Sequence, residues 1–250
     1  MILKNIFDYL LAFLLIVILF IPTIIILIIV YKEDFKNPIY FSKRVKKNNK
    51  IFSLLKIRSM KILNQKNVVT STSYNDPRIS KIGSIIRRYK IDEIPQLINI
   101  INNEMSFVGP RPNVVEEVKL YTNHEKKLLN VKPGITDYAS IIFSDESEIL
   151  KNSSNPNLDY NLLIRPWKSL IGIYYVENRS FFMDIEILFL TLFSLFDRVL
   201  VTRYISKKLL KYDFETYSKL FTPTRELKPL PPPGSNKLVS QSDLDGVYNN

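Results

Sequence analysis

The sequence predicts a mostly helical α/β chain with a small sheet, attached to a membrane by its N-terminal segment. Three observations predict this fold class. Residues 10–30 form an uncharged and almost wholly apolar run, residues 38–58 alternate between apolar and polar side chains around a turn signal, and several later segments repeat apolar residues every three or four positions. The length of 250 residues fits one domain.

The N-terminal apolar run is long enough to form a membrane helix, because its 21 residues match the number that a spanning helix needs. It exceeds the apolar core of a signal peptide, and no small-residue cleavage site follows it. Pro22 removes a backbone donor near the middle, so we expect the helix to kink or break there. The residues leave open a kinked span, which they favour, and a re-entrant helix that enters and leaves on one membrane face.

The excess positive charge of the chain lies directly after this run. The net charge is +11, and residues 32–66 supply +9 of it through eleven basic and two acidic side chains. A basic block beside a membrane helix indicates a cytoplasmic location and attraction to anionic membrane lipid. Such a block could also bind nucleic acid, but no nucleic-acid partner is expected next to a membrane segment.

Two short strands are predicted after the anchor. Residues 39–41 and 51–57 have strand-like patterns, and residues 47–50, with the sequence Lys-Asn-Asn-Lys, are a turn signal between them. Residues 61–75 are polar and show little periodicity, which predicts a loop.

Apolar spacing predicts helices over residues 79–88, 94–101 and 114–130. Asp92 is expected at the N-cap of the second of these helices, with Pro95 in its first turn. Residues 185–196 are apolar but too short to span a bilayer, so they predict either a buried helix or one lying in the membrane interface. The proline-rich and polar residues 221–250 predict a disordered tail.

Composition narrows the chemistry that the chain can perform. Without cysteine it has no disulfide framework, no thiolate zinc site and no cysteine nucleophile. The single histidine, His124, excludes a multi-histidine metal site and argues against a Ser-His triad. Carboxylates and cations remain as the candidate functional groups.

The candidate site is a charged region in the middle of the chain. Asp92 and Glu93 form an adjacent carboxylate pair, which equally fits a helix cap followed by a first-turn acid. Gly109 and two flanking prolines define the backbone around Arg111. The cations of the region are Lys56, Arg58, Arg78, Arg87, Arg88, Arg111 and Lys132. Carboxylates beside arginines suggest phosphoryl transfer, with one carboxylate as nucleophile, its neighbour as Mg²⁺ ligand and the cations on phosphate oxygens.

Five blocks of sequence in this region form a recognisable set. They are Lys56-Ile57-Arg58-Ser59-Met60, Asp76-Pro77-Arg78-Ile79 with Lys81-Ile82-Gly83, Ile91-Asp92-Glu93-Ile94-Pro95-Gln96-Leu97, Met105-Ser106-Phe107-Val108-Gly109-Pro110-Arg111-Pro112 and Lys132-Pro133-Gly134-Ile135-Thr136. In order and spacing these blocks resemble the bacterial sugar transferase family, the monotopic polyprenyl-phosphate phosphoglycosyl transferases. The resemblance covers the chain from about Tyr9 to Phe196.

The resemblance implies a fold, a reaction and residue roles. The implied fold is a membrane-anchored catalytic domain with interfacial amphipathic helices and a re-entrant helix, broken at Pro22, whose two ends are both cytoplasmic. The implied reaction moves a sugar 1-phosphate from a UDP-sugar to polyprenyl (undecaprenyl) phosphate through an aspartyl phosphosugar, with release of UMP. Asp92 would be the nucleophile and Glu93 the Mg²⁺ ligand. The phosphate contacts of the family map onto Arg87 and Arg111 first, and then onto Lys56, Arg58, Arg78 and Lys132.

Three departures from the family pattern are informative. Ile21 precedes Pro22 where serine is frequent, so the kink would rest on other neighbours. Lys90 stands where serine or threonine is common, and we expect it to tune the charge beside the dyad. Asp137 stands where glycine is common, and it is a candidate for sugar recognition.

The predicted organisation has three parts: residues 1–31 as the membrane helix, residues 32–200 as the catalytic domain, and residues 201–250 as an extension that is disordered from about residue 221. The expected location is the cytoplasmic face of a bacterial inner membrane, at the first membrane step of surface glycan assembly. Expected partners are the UDP-sugar, polyprenyl phosphate, anionic lipid and, as a candidate, a second copy of the chain. A non-catalytic membrane scaffold for envelope glycan enzymes is the alternative function.

Overall fold

The computed structural model describes residues 2–61, 78–222 and 226–248. Its helices are α1 Ile2–Asp34, α2 Lys81–Arg88, α3 Gln96–Ile101, α4 Val115–Lys119, α5 Tyr138–Ile142, α6 Glu146–Ile149, α7 Pro156–Asp159, α8 Arg165–Asn178, α9 Phe181–Phe193, α10 Arg198–Tyr212, α11 Phe214–Tyr217 and α12 Gln241–Tyr248. Its strands are β1 Ile39–Lys46, β2 Lys50–Ile57, β3 Ser106–Val108 and β4 Gly134–Thr136. The prediction of a mostly helical chain with little sheet is confirmed. Most of the loop predicted over residues 61–75, and the Asp76-Pro77 pair, lie outside the described residues.

The N-terminal anchor is the single helix α1, whose apolar side chains are mostly exposed. Among the described residues it is the one helix long and apolar enough to cross a membrane. Both of its ends are fastened to the rest of the protein, since Lys4 Nζ donates to Asp184 Oδ2 at 2.7 Å and Arg58 donates to Asp34 Oδ1 at 2.5 Å. A straight helix of 33 residues would be about 50 Å long and would carry its ends to opposite membrane faces. Contact of both ends with the same body fits a re-entrant anchor.

Pro22 does not end α1, contrary to the break expected there. The helix Ile2–Asp34 runs through this residue without interruption. Proline removes only the hydrogen bond from its own nitrogen, and the apolar residues on both sides of it can stay helical. In lipid, where unpaired backbone groups are costly, a continuous helix satisfies more of these groups than a break would.

The predicted hairpin after the anchor is confirmed. β1 and β2 pair antiparallel, with Ile39 opposite Ile57 and Lys46 opposite Lys50. The connecting turn includes Asn48 at a φ of 61°, a conformation that asparagine tolerates better than most residues. The polar turn signal in the sequence therefore marked the correct residues.

β3 and β4 form a second, parallel pair of strands that the sequence did not predict. Ser106 lies opposite Gly134, and Val108 lies opposite Thr136. The backbones of these two segments approach so closely that a Cβ atom at Gly134 would lie 2.1 Å from the backbone nitrogen of Gly109. Only glycine fits this contact, which brings the segment after β3 against the segment that leads into β4.

The hydrophobic core is centred on α8 and α10. Ile171 of α8 and Ile205 of α10 are completely buried. In α10, Val201 and Leu209 are buried with Ile205, because a spacing of four residues puts them on one helix face. α10 crosses the predicted boundary at residue 200 and contributes side chains to the core.

Residues 226–248 are ordered where the sequence predicted disorder. The Leu230 N–H donates to the Leu162 carbonyl at 3.0 Å, and Thr122 Oγ1 donates to the Pro233 carbonyl at 2.5 Å. Leu244 of α12 is 2% exposed. Prolines restrict the unfolded chain, so a proline-rich segment loses less entropy on ordering and can be held by few contacts.

Two other predicted helices differ in detail. Residues 114–130 contain α4 and the 3₁₀ helix Glu125–Asn130 rather than one continuous helix. α9 starts earlier than predicted, where the Ser180 side chain accepts from the backbone of the first turn. It buries Ile187 and leaves Phe189 66% exposed, so it has the apolar outer face expected of a helix in a membrane interface.

Candidate active site

The two adjacent carboxylates, hereafter the dyad, lie in the 3₁₀ turn Ile91–Glu93 between α2 and α3. The turn follows Lys90, whose φ of 54° reverses the chain after α2. Asp92 is buried, with 9% of its surface exposed. The prediction that Asp92 caps the next helix is wrong, because α3 begins only at Gln96 and the intervening turn has its own hydrogen bonds. The Asp92 carboxylate is therefore left for another role.

Lys56, near the end of β2, binds both carboxylates of the dyad. Its Nζ lies 3.4 Å from Asp92 Oδ2 and 3.3 Å from Glu93 Oε1. The buried side chain of Asn99 in α3 accepts from the Leu55 N–H at 3.0 Å. This amide fixes β2 beside α3, and so it places Lys56 over the turn that carries the dyad.

Arg111 approaches Glu93 more closely than Lys56 does. Its Nη2 lies 2.5 Å from Glu93 Oε1, and its Nη1 lies 3.5 Å from Glu93 Oε2. Arg111 follows β3, and the carbonyl of Pro110 accepts from the Gly134 N–H at 3.0 Å, which ties this segment to the start of β4. The paired guanidinium nitrogens are in the arrangement that arginine uses for carboxylates and phosphates alike.

The two carboxylates differ in electrostatic environment. Burial raises the pKa of Asp92 above the ordinary aspartate value, and the charge of Lys56 only partly offsets this effect. Burial also acts on Glu93, but the positive charges of Arg111 and Lys56 outweigh it and hold the pKa of Glu93 well below the ordinary glutamate value. Neighbouring carboxylates whose pKa values are pushed apart are typical of sites in which each has its own role.

The dyad fits a divalent cation that is held partly by substrate. In the described parts of the chain, no three or more carboxylate or histidine side chains come together to enclose a metal. Mg²⁺ often needs only one or two protein carboxylates when phosphates and water complete its coordination. Glu93 is a suitable ligand because its two cationic neighbours keep it ionised, and Asp92 lies next to it in the turn.

Two of the predicted phosphate-binding cations contact the anchor instead of the dyad. Arg58 donates to both carboxylate oxygens of Asp34, each at 2.5 Å. Lys132 Nζ donates to Asn5 Oδ1 at 3.0 Å. The structure thus uses these cations, one at each end of α1, to hold the helix against the body.

The other predicted cations differ in whether their charge acts on the dyad. Arg87, in the last turn of α2, is near enough for its charge to lower the pKa of Asp92. Lys90 also belongs to this group, because burial lowers its pKa while the charge of Glu93 raises it. The backbone carbonyl of Arg78 accepts a hydrogen bond from the Lys61 N–H at 2.8 Å.

Two residues that the sequence did not mark also reach this region. Lys168 of α8 forms an ion pair with Glu146 of α6. The charge of Lys168 lowers the pKa of Lys90, and the charge of Glu146 raises the pKa of Arg111. Both residues come from segments more than 50 positions after the dyad. Only the tertiary packing brings them near, and no local spacing could have found them.

Comparison with protein families gives one match. The sequence model of a family described as bacterial sugar transferase matches residues 1–198. The matched range contains α1, the dyad, Lys56 and Arg111. The segment from residue 199 onward, with most of α10 and all of α12, lies outside the match.

Three curated relatives show how far the similarity extends. An uncharacterized sugar transferase of Haemophilus influenzae is 34% identical over 192 residues, which are 70% of this chain and 37% of the relative. A UDP-glucose:undecaprenyl-phosphate glucose-1-phosphate transferase of Escherichia coli is 34% identical over 197 residues, 77% of this chain and 40% of the relative. The uncharacterized sugar transferase EpsL of Bacillus subtilis is 34% identical over 194 residues, 76% of this chain and 86% of the relative. The chain thus spans about two fifths of the first two relatives and most of the third.

Proposed function

Because the chain belongs to the bacterial sugar transferase family, we propose that it transfers a sugar 1-phosphate from a UDP-sugar to polyprenyl phosphate. The observation that carries this proposal is the dyad, in which the buried carboxylate of Asp92 and the half-buried carboxylate of Glu93, of unequal pKa, lie beside Lys56 and Arg111. The Escherichia coli relative is named for UDP-glucose and undecaprenyl phosphate, which supports the same substrate classes here. The product would be the first lipid-linked sugar of a surface glycan.

In the first step, a carboxylate oxygen of Asp92 attacks the β-phosphorus of the UDP-sugar. A phosphorus–oxygen bond forms to Asp92, the bond from this phosphorus to the bridging oxygen breaks, and UMP leaves with that electron pair. Burial makes the Asp92 carboxylate more basic than an ordinary aspartate, as its raised pKa indicates, and this favours attack. Lys56, 3.4 Å away, orients the carboxylate.

In the second step, an oxygen of polyprenyl phosphate attacks the phosphorus that Asp92 holds. The bond to Asp92 breaks, the carboxylate is restored, and polyprenyl diphosphate sugar is released. Negative charge spreads over the phosphate oxygens in both transition states, and fixed cations stabilise it. Arg111 is well placed for this because 40% of its side chain is exposed, so it can turn from Glu93 towards a bound phosphate.

Mg²⁺ is the proposed cofactor, with Glu93 as its protein ligand beside phosphate oxygens of the donor. When bound, the ion would neutralise charge on the transferred phosphoryl group. Arg111 and Lys56 serve this role by keeping Glu93 ionised, because they lower its pKa. Since both cations contact Glu93 in the present structure, Glu93 would have to release at least one of them to bind a metal.

We place the reaction at the cytoplasmic face of a bacterial inner membrane. Two features support this location: both ends of α1 contact the same body, and the hairpin that follows α1 exposes Lys43 and Lys50. Basic side chains near an anionic leaflet gain about 1 kcal/mol each. The site would then lie close to the phosphate head group of a polyprenyl acceptor.

The proposal is tested with the full chain in lipid nanodiscs that contain undecaprenyl phosphate. Radiolabelled UDP-glucose or UDP-galactose should give a labelled lipid with the unaltered chain and none with Asp92→Asn. Without acceptor, labelled UMP should exchange into the UDP-sugar, because the first step alone is reversible. Asp243→Asn is the matched control, since Asp243 is exposed in α12 and its carboxylate contacts only Ser240 among the described residues.

Two results would contradict the proposal. Full transfer by Asp92→Asn would exclude the covalent mechanism. Failure of the unaltered chain to turn over any UDP-sugar, while it remains folded and bound to the membrane, would exclude the reaction and favour a scaffold.

A further inference from the structure

A small cavity that the proposed reaction leaves unused adjoins Arg111. Its volume is about 50 Å³, and Asp137, Ser140, Tyr160 and Lys168 are among the residues that line it. A cavity measured in this way needs about 10–15 Å³ for each water molecule, so it has room for about three to five waters. It is too small for a nucleobase or a whole sugar ring, but it can admit one substituent of a ring.

Asp137 supplies a buried carboxylate to this cavity. The residue is 3% exposed, and its Oδ1 accepts from the Ser140 N–H at 2.7 Å, which caps α5. Serine or asparagine would cap a helix as well without burying a charge, so the cap by itself does not require an acid. Arg111 and Lys168 line the same cavity as Asp137, so this carboxylate and these cations face one space.

Tyr160 supplies a second polar group. It is 7% exposed, and Lys168 Nζ lies 5.4 Å from the centre of its ring. Its hydroxyl forms no hydrogen bond with any residue in the described parts of the chain, and the oxygen is not among the buried atoms that lack a partner, so it is open to the cavity. A tyrosine hydroxyl on the wall of a cavity can bond a polar group of a ligand.

We propose that this cavity recognises one substituent of the donor sugar, with Asp137 and Tyr160 as specificity-determining residues. The inference rests on the proposed function, because a β-phosphate held between Arg111 and Asp92 brings the attached sugar next to the cavity. The substituent donates a hydrogen bond to the Asp137 carboxylate, so it is a hydroxyl, an amino group or an amide N–H.

The test compares donors rather than overall activity. The kcat/KM values of UDP-glucose, UDP-galactose, UDP-N-acetylglucosamine and UDP-N-acetylgalactosamine are measured with the unaltered chain, Asp137→Asn and Tyr160→Phe. Asparagine keeps the cap of α5 and removes the charge, and phenylalanine removes only the hydroxyl. We expect Asp137→Asn to lower kcat/KM for the preferred donor by about tenfold or more and to change the ranking of donors, with a smaller change of the same kind in Tyr160→Phe. The KM of the polyprenyl acceptor should not change.

The controls separate this inference from a loss of fold and from the proposed function. Asp213→Asn makes the same change at the cap of α11, where the side chain accepts from the Thr216 N–H at 3.0 Å, and it should leave the donor ranking intact. An unchanged ranking in Asp137→Asn, or an equal loss of affinity for UMP alone, would overturn the inference while the unaltered chain remains active. If the unaltered chain turned over no donor, the proposed function itself would be overturned, and the inference with it.

Discussion

Two carboxylate–arginine pairs in this protein have nearly the same geometry and very different surroundings. Glu125 and Arg165 lie 2.7 Å apart, with side chains that are 0% and 1% exposed. Glu93 and Arg111 lie 2.5 Å apart, with side chains that are 12% and 40% exposed. The first pair joins the 3₁₀ helix Glu125–Asn130 to α8, and the second joins the dyad to the segment after β3.

The pairs also differ in how many of their groups are already engaged. Glu125 accepts from Ser169 Oγ at 2.7 Å and from the Thr122 N–H at 3.0 Å. Arg165 donates to Asn161 Oδ1 at 3.0 Å as well as to Glu125. The side chains of Glu93 and Arg111 have only Lys56 as a further hydrogen-bonding partner among the described residues. The number of engaged groups, and not the distance within the pair, distinguishes a structural ion pair from one that can exchange its partner for a substrate.

Among single changes to the two pairs, the largest expected effect is on catalysis at Glu93 and Arg111, the open pair. Glu93→Gln should lower the rate of transfer about a thousandfold, since it removes the charge that is proposed to hold Mg²⁺ beside the donor phosphates. The measurement is transfer of radiolabelled sugar in nanodiscs at several Mg²⁺ concentrations. Glu125→Gln is the matched control and should act mainly on stability; a similar loss of rate in folded Glu125→Gln would remove the distinction between the pairs.

The next largest effect is on stability at Glu125 and Arg165, the closed pair. Arg165→Ala leaves Glu125 buried and unpaired, so it should reduce the free energy of unfolding by about 3–5 kcal/mol. Denaturation of the full chain in detergent, followed by the fluorescence of the buried Trp167, measures this change. A free energy of unfolding equal to that of the unaltered chain would contradict the structural role of this pair.

A double variant sharpens this result. Replacing both members, with Glu125→Leu and Arg165→Met, should cost less stability than Arg165→Ala, because no unpaired charge remains in the core. If the double variant were as unstable as the sum of the single ones, the pair would not act as a unit.

A smaller effect is expected from a conservative change at the open pair. Arg111→Lys keeps the charge but loses the paired nitrogens, so the KM of the donor should rise about tenfold with a stability close to that of the unaltered chain. Steady-state kinetics with UDP-glucose and UDP-galactose provide the measurement. An unchanged KM would mean that Arg111 serves only to hold Glu93.

The smallest effect is a shift in the dependence of the rate on pH. Asp92 must be ionised to attack, so kcat/KM should fall as the pH drops through its raised pKa, whereas Glu93 stays ionised because its pKa is lowered. Lys56 lowers the pKa of Asp92. Lys56→Met should therefore move the acidic limb of the profile to higher pH, and a shift to lower pH would contradict the assignment.

The sequence predicted those parts of the fold that depend on local pattern. Alternation around an Asn-rich turn identified the hairpin, and the spacing of Ile82 and Ile86 identified α2. The resemblance to a family pointed to the dyad and Arg111, and the structure brings these residues together. In these cases a short stretch of residues carries enough information by itself.

The remaining features depend on contacts between distant segments. β3 and β4 have three residues each, too few to show a period, and they pair only because two glycines allow their backbones to meet. Lys168 reaches the active site through the packing of α8. The composition of the C-terminal segment suggested disorder, but low chain entropy and a few tertiary contacts, such as that of Leu230, order it.

The fastening of α1 at both ends has a consequence for biogenesis. Lys4 pairs with Asp184, 180 residues further along the chain, so this contact can form only after most of the body has been made. Until then, the charge of Lys4 needs water or lipid head groups, which keeps the start of the helix at the membrane surface. A chain that stalls before Asp184 is made therefore lacks the ion pair that holds the start of α1 to the body.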